Sequence, residues 1–213
     1  MQGGKRQGRD FIARHGETVF NAARRLQGEA LHTPLTRAGF AQADEMGAAL
    51  RRLLGPRPAL TLWSSSAGRA LQTLAVIAEH LELDWHGCHA DPRLVEIGMG
   101  GWGGRGYAEV IAEVGPVIDA ESGLLRPAPD GESYPEIEAR VRAWLAETDD
   151  DPGDRLVIMH GVSSCVLRGV MTGLPAWPSL GAPAARGLPQ GSVVMIERGV
   201  EQVVHLGGGH APA

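Results

Sequence analysis

The chain has 213 residues, about the length of one ordinary domain and enough to bury a core without disulfide or metal staples. Apolar residues make up 43% and charged residues 21%, a normal globular balance that argues against disorder, collagen and coiled coil. The net charge of −5 argues against nucleic acid as the main partner, and no apolar run is long enough for a membrane span.

Hydrophobic periodicity predicts strands that alternate with helices. In chain order we predict a strand over 11–13, a helix over 37–54 with Thr36 as its N-cap, a strand over 60–63, a helix over 69–81, one or two short strands within 84–97, a helix over 107–114, a helix over 132–147, a strand over 156–159, a helix over 162–171, and a hairpin of strands 192–196 and 200–206. Segments 98–106, 115–133 and 173–191 are predicted to be loops, the second of them exposed.

This alternation predicts the α/β class: a doubly wound, mostly parallel sheet flanked by helices. We expect a single domain over residues 10–206. The polar, glycine-rich residues 1–9 are predicted to be a flexible tail, and residues 207–213 a C-terminal tail.

Three predicted strands end in residues with reactive side chains. The first runs into Arg14 and His15, the second into three serines followed by Arg69, and the third into His160. Ligands of a doubly wound sheet bind beyond the carboxyl ends of its strands, so these groups would converge there. Two arginines can bind the oxygens of a phosphoryl group, and an imidazole can form a covalent bond to its phosphorus. Glu96, next to a glycine-rich loop, is the candidate proton donor to a leaving group.

These residues belong to blocks that resemble the histidine phosphatase superfamily, also called the phosphoglycerate mutase-like family. The matching blocks are Arg14-His15-Gly16-Glu17-Thr18 with Asn21, Gln27-Gly28, residues 34–43, residues 64–73, residues 94–97 with 101–104, residues 130–134, residues 157–161 and residues 190–192. They run in family order from residue 11 to about residue 196, which makes the resemblance highly specific.

The resemblance implies the fold of that family and a role for each group. His15 would be the phosphohistidine nucleophile, and Arg14, Arg69 and His160 would hold the phosphoryl group. Glu96 would protonate the leaving group and then activate the attacking water. The residues expected to contact phosphate or substrate are Asn21, Gln27, Gly28 and Gly161. No metal and no organic cofactor is implied.

Such a reaction sets the protonation state of each group. His15 must be neutral with one ring nitrogen free, and a hydrogen bond from the other nitrogen to a carbonyl would fix the tautomer. His160 should be charged in order to stabilise phosphoryl oxygens, and Glu96 must carry a proton. We expect a metal-independent activity with its optimum on the acidic to neutral side.

Some positions depart from the family pattern. Phe20 stands where Trp is common, His32 where Asp usually precedes Pro-Leu-Thr, and Ser66 where Pro often follows the paired serines. The loop after Gly28 is also one residue longer. These changes affect substrate contacts and remove no catalytic group.

Family mutases carry a long insertion with an Arg-Arg pair that reaches the substrate carboxylate. Residues 110–126 contain a single arginine, Arg126, and therefore no such pair. The chain is also short for a mutase. We therefore favour a phosphatase acting on a small phosphomonoester, as a monomer or homodimer, over a cofactor-dependent phosphoglycerate mutase. Two cysteines and an N-terminus without an apolar leader predict a cytoplasmic location, with neither nucleic acid nor membrane as a partner.

Weaker motifs indicate other classes of protein. Residues 101–106 match the G-x-G-x-x-G of a dinucleotide-binding module, but they lie mid-chain without the initial βαβ context. A serine-hydrolase elbow at residues 161–165 is broken by Cys165. His86, Cys88 and His89 are too few for a convincing metal site.

Overall fold

A six-stranded sheet forms the centre of the molecule. The computed structural model describes residues 6–210. The strands are β1 (Asp10–Arg14), β2 (Leu60–Ser65), β3 (His89–Asp91), β4 (Asp154–Met159), β5 (Val193–Glu197) and β6 (Val200–His205). The α-helices are α1 (Val19–Ala22), α2 (Arg37–Leu54), α3 (Gly68–Leu81), α4 (Tyr107–Val114), α5 (Tyr134–Thr148) and α6 (Gly161–Thr172). Within the described part of the chain, no helix combines the length and the apolar character needed to cross a bilayer.

The strand order is β3-β2-β4-β1-β5-β6. The first four strands are parallel, and β5 and β6 extend the sheet in the antiparallel sense. This confirms the predicted single α/β domain with a mostly parallel sheet. Because β4 lies between β1 and β2, the carboxyl ends of these three strands meet at one edge of the sheet.

Each face of the sheet has its own hydrophobic core, because successive side chains of a strand point to opposite faces. Phe11 and Ala13 of β1 pack with apolar residues of α2 and α3. Ile12, between them, packs on the other side with residues of α5 and α6. Helices therefore flank both faces, as the sequence predicts.

The segment 115–133 is irregular, as predicted, but only part of it is exposed. Val117, Leu124 and Leu125 are buried and belong to the same core cluster as α5 and α6. The helix predicted from residue 132 begins at Tyr134, because Ser133 and Glu136 form a capping box that fixes the start.

Both predicted tails make ordered contacts near the domain. Arg9 pairs with Asp154 at the start of β4, with 2.6 Å between Nη2 and Oδ2. Gly8 packs so closely on Gly153 that a Cβ would lie 2.0 Å from the Gly153 carbonyl oxygen. At the other end, Gly207 donates its backbone N–H to the Ser192 hydroxyl at 2.9 Å. Residues 1–5 and 211–213 of the predicted tails lie outside the described residues.

The turn after β1 crosses the first turn of α2 at two glycines. A Cβ on Gly16 would lie 2.2 Å from the carbonyl oxygen of Gly39, and a Cβ on Gly39 would lie 2.0 Å from that of Glu17. Thr36 caps α2 by accepting the Gly39 backbone N–H at 3.0 Å. The segment that follows β1 is thus pressed against α2 at van der Waals distance.

We predict that Gly39→Ala lowers the free energy of unfolding by about 2 to 3 kcal/mol, because the added methyl group meets backbone atoms that cannot move independently. Urea unfolding monitored by circular dichroism measures the loss. Gly87→Ala is the matched control, since a Cβ there has no atom within 4 Å. Equal stabilities for the two variants would contradict this account of the crossing.

Candidate active site

A cavity of about 280 Å³ lies at the carboxyl ends of β1 and β4. Its wall includes Arg14 and His15 at the end of β1, and Glu96 from the loop after β3. The predicted substrate-contacting residues Asn21, Gln27, Gly28 and Gly161 also line it. The structure thus brings seven of the nine predicted site residues to one cavity wall, and the other two, Arg69 and His160, lie directly behind His15.

The His15 ring is buried, and its two nitrogens have different partners. Nδ1 lies 2.7 Å from the carbonyl oxygen of Gly16, so this nitrogen carries the proton and donates it. Nε2 accepts a hydrogen bond from Nε of Arg69 at 3.3 Å. The lone pair is therefore on Nε2, which is the tautomer that the sequence analysis requires of a nucleophile.

His160 lies beside His15, with 5.1 Å between the ring centroids. Its Nδ1 accepts a hydrogen bond of 3.1 Å from Nε of Arg69, the same group that contacts His15. Its Nε2 lies 2.7 Å from the Ser65 hydroxyl and donates to it. A single guanidinium N–H is thus shared between the two imidazoles.

The electrostatic surroundings keep both imidazoles neutral. Burial, then the charges of Arg69 and Arg14, lower the pKa of His15 well below 6.5. The pKa of His160 is also lowered well below 6.5, by burial first and then by Arg69 and His15. This shift opposes the predicted positive charge on His160, because a buried imidazole beside a guanidinium binds a proton weakly unless an anion lies next to it.

The terminal nitrogens of Arg69 hold the loop that follows Gln27. Nη2 donates to the carbonyl oxygen of Gly28 at 2.8 Å, and Nη1 donates to that of Ala30 at 2.5 Å and to the Thr33 hydroxyl at 3.2 Å. Burial is the main reason that the pKa of Arg69 is lowered to about 10. Arg69 therefore connects His15 to the longer loop noted in the sequence.

Arg14 is the second buried arginine of the site and lines the cavity itself. Its Nη1 donates to the carbonyl oxygens of Leu188 at 2.6 Å and of His210 at 2.9 Å. Its Nε has no hydrogen-bond partner within residues 6–210. Burial lowers the pKa of Arg14, and the charge of Glu96 opposes that shift.

The Glu96 carboxylate is held at the N-terminus of α6. Oε2 accepts the backbone N–H of Val162 at 3.0 Å, and Oε1 accepts those of Ser163 at 2.9 Å and Ile97 at 3.0 Å. The first turn of a helix favours a negative group, so α6 orients this carboxylate next to the cavity. The same helix follows directly after His160.

The short helix α1, which the sequence analysis did not predict, positions Asn21. A four-residue helix is too short to show a periodic pattern, but its cap is clear in the structure. Asn21 Oδ1 accepts the backbone N–H of Thr18 at 3.0 Å, and the Thr18 hydroxyl donates to Gln27 Oε1 at 2.5 Å. Gly28 has a positive φ of 52°, and a Cβ there would lie 2.4 Å from Cγ of Met99.

Sequence reasoning did not assign a role to five further polar residues of the wall, which are Arg24, Arg25, Tyr107, Gln190 and His210. Tyr107 follows the glycine-rich loop, and burial raises its pKa to about 12. No sequence signal indicates His210, because its place depends on the C-terminal segment folding back, where His210 O accepts the Gln190 backbone N–H at 3.2 Å.

Within residues 6–210 there is no group of three or more His, Cys, Asp or Glu residues arranged to hold a metal ion. His86, Cys88 and His89 do not form one, and the ring of His89 stacks on Trp63 with 4.7 Å between centroids. The geometry of the site is therefore that of arginines, imidazoles and one carboxylate.

Comparison with known proteins agrees with this geometry. The sequence pattern of the "Histidine phosphatase superfamily (branch 1)" matches residues 11–204. "Probable phosphoglycerate mutase GpmB" of Salmonella arizonae is 35% identical over 179 residues, covering 78% of this chain and 76% of the relative. The protein of the same name from Enterobacter sp. (strain 638) is 37% identical over 180 residues with the same coverage.

Solved structures show the same fold. A mycobacterial glucosyl-3-phosphoglycerate phosphatase in complex with VO3 superimposes with a TM-score of 0.71 and 26% identity, covering 95% of this chain and all of the other. Bacillus stearothermophilus YhfR superimposes with a TM-score of 0.68 and 23% identity, covering 95% of this chain and 98% of the other, and shows likeness of fold alone. The match over residues 11–204 and the identity to these relatives establish that the chain belongs to the histidine phosphatase superfamily, branch 1.

Proposed function

We propose that this chain hydrolyses a small phosphomonoester through a phosphohistidine formed on Nε2 of His15, without a metal ion. The observation that carries the proposal is the state of His15: a neutral imidazole whose unprotonated Nε2 lies 3.3 Å from the Arg69 guanidinium, on the wall of a cavity shared with Arg14 and Glu96. An imidazole lone pair beside fixed positive charge is arranged for attack on a phosphoryl dianion.

In the first step, the Arg69 Nε–H turns from Nε2 of His15 to a phosphoryl oxygen, and the freed Nε2 lone pair attacks the phosphorus atom in line with the ester oxygen. A phosphorus–nitrogen bond forms while the phosphorus–oxygen bond breaks, and Glu96, which binds a proton from solvent beside the negatively charged substrate, gives that proton to the departing alkoxide. Arg14 and the Nε–H of Arg69 stabilise the charge on the equatorial oxygens. The Gly16 carbonyl stabilises the proton on Nδ1 as the ring becomes positively charged.

In the second step, Glu96 takes a proton from a water molecule that attacks the phosphohistidine. The phosphorus–nitrogen bond breaks, inorganic phosphate leaves, and both His15 and Glu96 return to their starting states. The hydrogen bonds that Glu96 accepts from Val162 and Ser163 keep the carboxylate in one position for both transfers. Since the two proton transfers are opposite, one carboxyl group serves the whole cycle.

A phosphoglycerate mutase is the second candidate, because the relatives from Salmonella arizonae and Enterobacter carry that name. Two features support hydrolysis instead. The stretch 110–126 contributes Leu125 and no arginine to the cavity wall, and Arg126 is exposed. The mycobacterial phosphatase also matches over nearly the whole chain. Net phosphate release from 3-phosphoglycerate would support hydrolysis, whereas interconversion of phosphoglycerates without release would support the mutase.

We predict that His15→Ala abolishes phosphate release and that EDTA leaves the wild-type activity unchanged. The imidazole supplies the covalent step, and the site as described needs no cation. Malachite green assays measure the activity, and rapid acid-free quenching followed by mass spectrometry detects a phosphate on His15. His86→Ala, at an exposed turn, is the control for the substitution. Activity that survives His15→Ala but fails in EDTA would reject the mechanism.

We predict that Glu96→Gln lowers kcat by about 100-fold or more for alkyl phosphates and by much less for p-nitrophenyl phosphate. An alkoxide needs a proton to leave, whereas nitrophenolate is stable without one. Glu113→Gln on the exposed surface of α4 is the control. An equal loss on both kinds of substrate would mean that Glu96 is not the proton donor.

We predict that side-chain NMR titration places the pKa of His15 and of His160 well below 6.5, and that Arg69→Gln raises both. Positive charge nearby disfavours imidazolium, so removing Arg69 makes protonation easier, while burial remains. The loss of neutral His15 on acidification should therefore occur below pH 6.5. Arg37→Gln, on the exposed side of α2, should leave both values unchanged. A wild-type His15 that titrates at or above 6.5 would contradict the assigned neutral state.

A further inference from the structure

Two adjacent arginines, Arg24 and Arg25, line the catalytic cavity and have no part in the mechanism above. The other charged wall residues are Arg14 and Glu96, with the two histidines His15 and His210. A phosphomonoester dianion is matched by the two positive charges of Arg14 and of Arg69 behind it. The positive charge at Arg24 and Arg25 therefore exceeds what a single phosphate needs.

The two arginines differ in their partners. Arg25 Nη1 donates to the carbonyl oxygen of Gly104 at 2.7 Å, so its side chain helps to join two loops. Arg24 has neither a side-chain hydrogen bond nor an ion pair with any of residues 6–210, and it is exposed. Arg24 is thus a cation on the cavity wall that is available to a ligand.

The backbone holds Arg24 in place. Its φ of 51° lies in the left-handed region, which is unfavourable for a residue with a side chain. Hydrogen bonds maintain this conformation: the Arg24 N–H donates to the Asn21 carbonyl oxygen, and the Tyr107 N–H donates to that of Arg24, both at 3.0 Å. A strained backbone conformation fixed at a site is a reason to look for function there.

Arg24 lines the same cavity as Arg14, His15 and Glu96. Its backbone carbonyl oxygen accepts the N–H of Tyr107, which also lies on that wall. The cavity volume of about 280 Å³ is at the low end of the roughly 300–1,000 Å³ typical of small-molecule sites. One small metabolite can therefore place its phosphate at His15 while another of its groups faces Arg24.

We infer that Arg24 binds a second anionic group of the substrate, so that the preferred substrate is a phosphomonoester that also carries a carboxylate or a second phosphate. This inference rests on the proposed function of the same cavity. It makes Arg24 a specificity-determining residue that touches the part of the substrate remote from the reacting phosphorus.

Substrates with one skeleton test the inference. Glycerol 3-phosphate carries one anionic group, 3-phosphoglycerate adds a carboxylate, and glycerol 1,3-bisphosphate adds a phosphate. We expect wild-type kcat/KM to be higher for at least one of the two doubly anionic substrates than for glycerol 3-phosphate. Arg24→Gln should reduce that ratio about tenfold, mainly through KM, as expected for one exposed charge-assisted hydrogen bond. Arg24→Lys should keep part of the preference, and Arg37→Gln should keep all of it.

The doubly anionic substrate whose kcat/KM ratio falls more in Arg24→Gln shows whether the second group is a carboxylate or a phosphate. An unchanged ratio in Arg24→Gln, or no wild-type preference for either doubly anionic substrate, would overturn the inference, while His15-dependent hydrolysis of glycerol 3-phosphate would still support the proposed function.

Calorimetric binding to His15→Ala protein gives a readout that does not need turnover. The same doubly anionic compound should bind about tenfold more weakly when Arg24→Gln is added to that protein. Equal affinities would overturn the inference even if no substrate were hydrolysed. Absence of hydrolysis with the binding difference present would instead reject the proposed function and keep the anion site.

Discussion

The site depends on one shared hydrogen-bond donor, the Nε–H of Arg69, which lies between Nε2 of His15 and Nδ1 of His160. A guanidinium cannot give up its proton at ordinary pH, so both imidazoles must present lone pairs to it. Each ring then directs its own proton away from Arg69, His15 to the Gly16 carbonyl and His160 to the Ser65 hydroxyl. One donor thus sets two tautomers, and the parallel pairing of β1 with β4 is what brings both histidines to it.

The same guanidinium connects His15 to the loop over residues 28–33. Its terminal nitrogens bind carbonyl oxygens of Gly28 and Ala30, and Gly28 also packs on Met99 without room for a side chain. Movement of this loop would therefore alter the orientation of Arg69 and, through it, of His15. Residues 29–33 of this loop, including His32, are not part of the cavity wall, which the loop reaches through Gln27 and Gly28.

The sequence was sufficient for the parts of the fold that rest on local chemistry. The helix over 37–54 has the bounds predicted for it, because Thr36 caps its start and Gly55 follows its end. Features that depend on tertiary contact were not predictable: the burial of Leu124 and the contact of His210 with Arg14 require segments that fold back. The downward shift in the pKa of His160 was also not predictable, because a residue type does not reveal burial, and burial disfavours a protonated imidazole.

Buried arginines lie near both ends of β1, and the groups that they contact differ. At the start of the strand, the buried Arg155 forms an ion pair with the buried Asp10, the ordinary way to compensate an interior charge. At the other end, Arg14 and Arg69 are also buried, yet neither forms an ion pair within residues 6–210, and their hydrogen-bond partners are carbonyl oxygens, imidazoles and one hydroxyl group. Burying two cations without a paired carboxylate lowers stability. A cavity beside two such cations is suited to an anionic ligand.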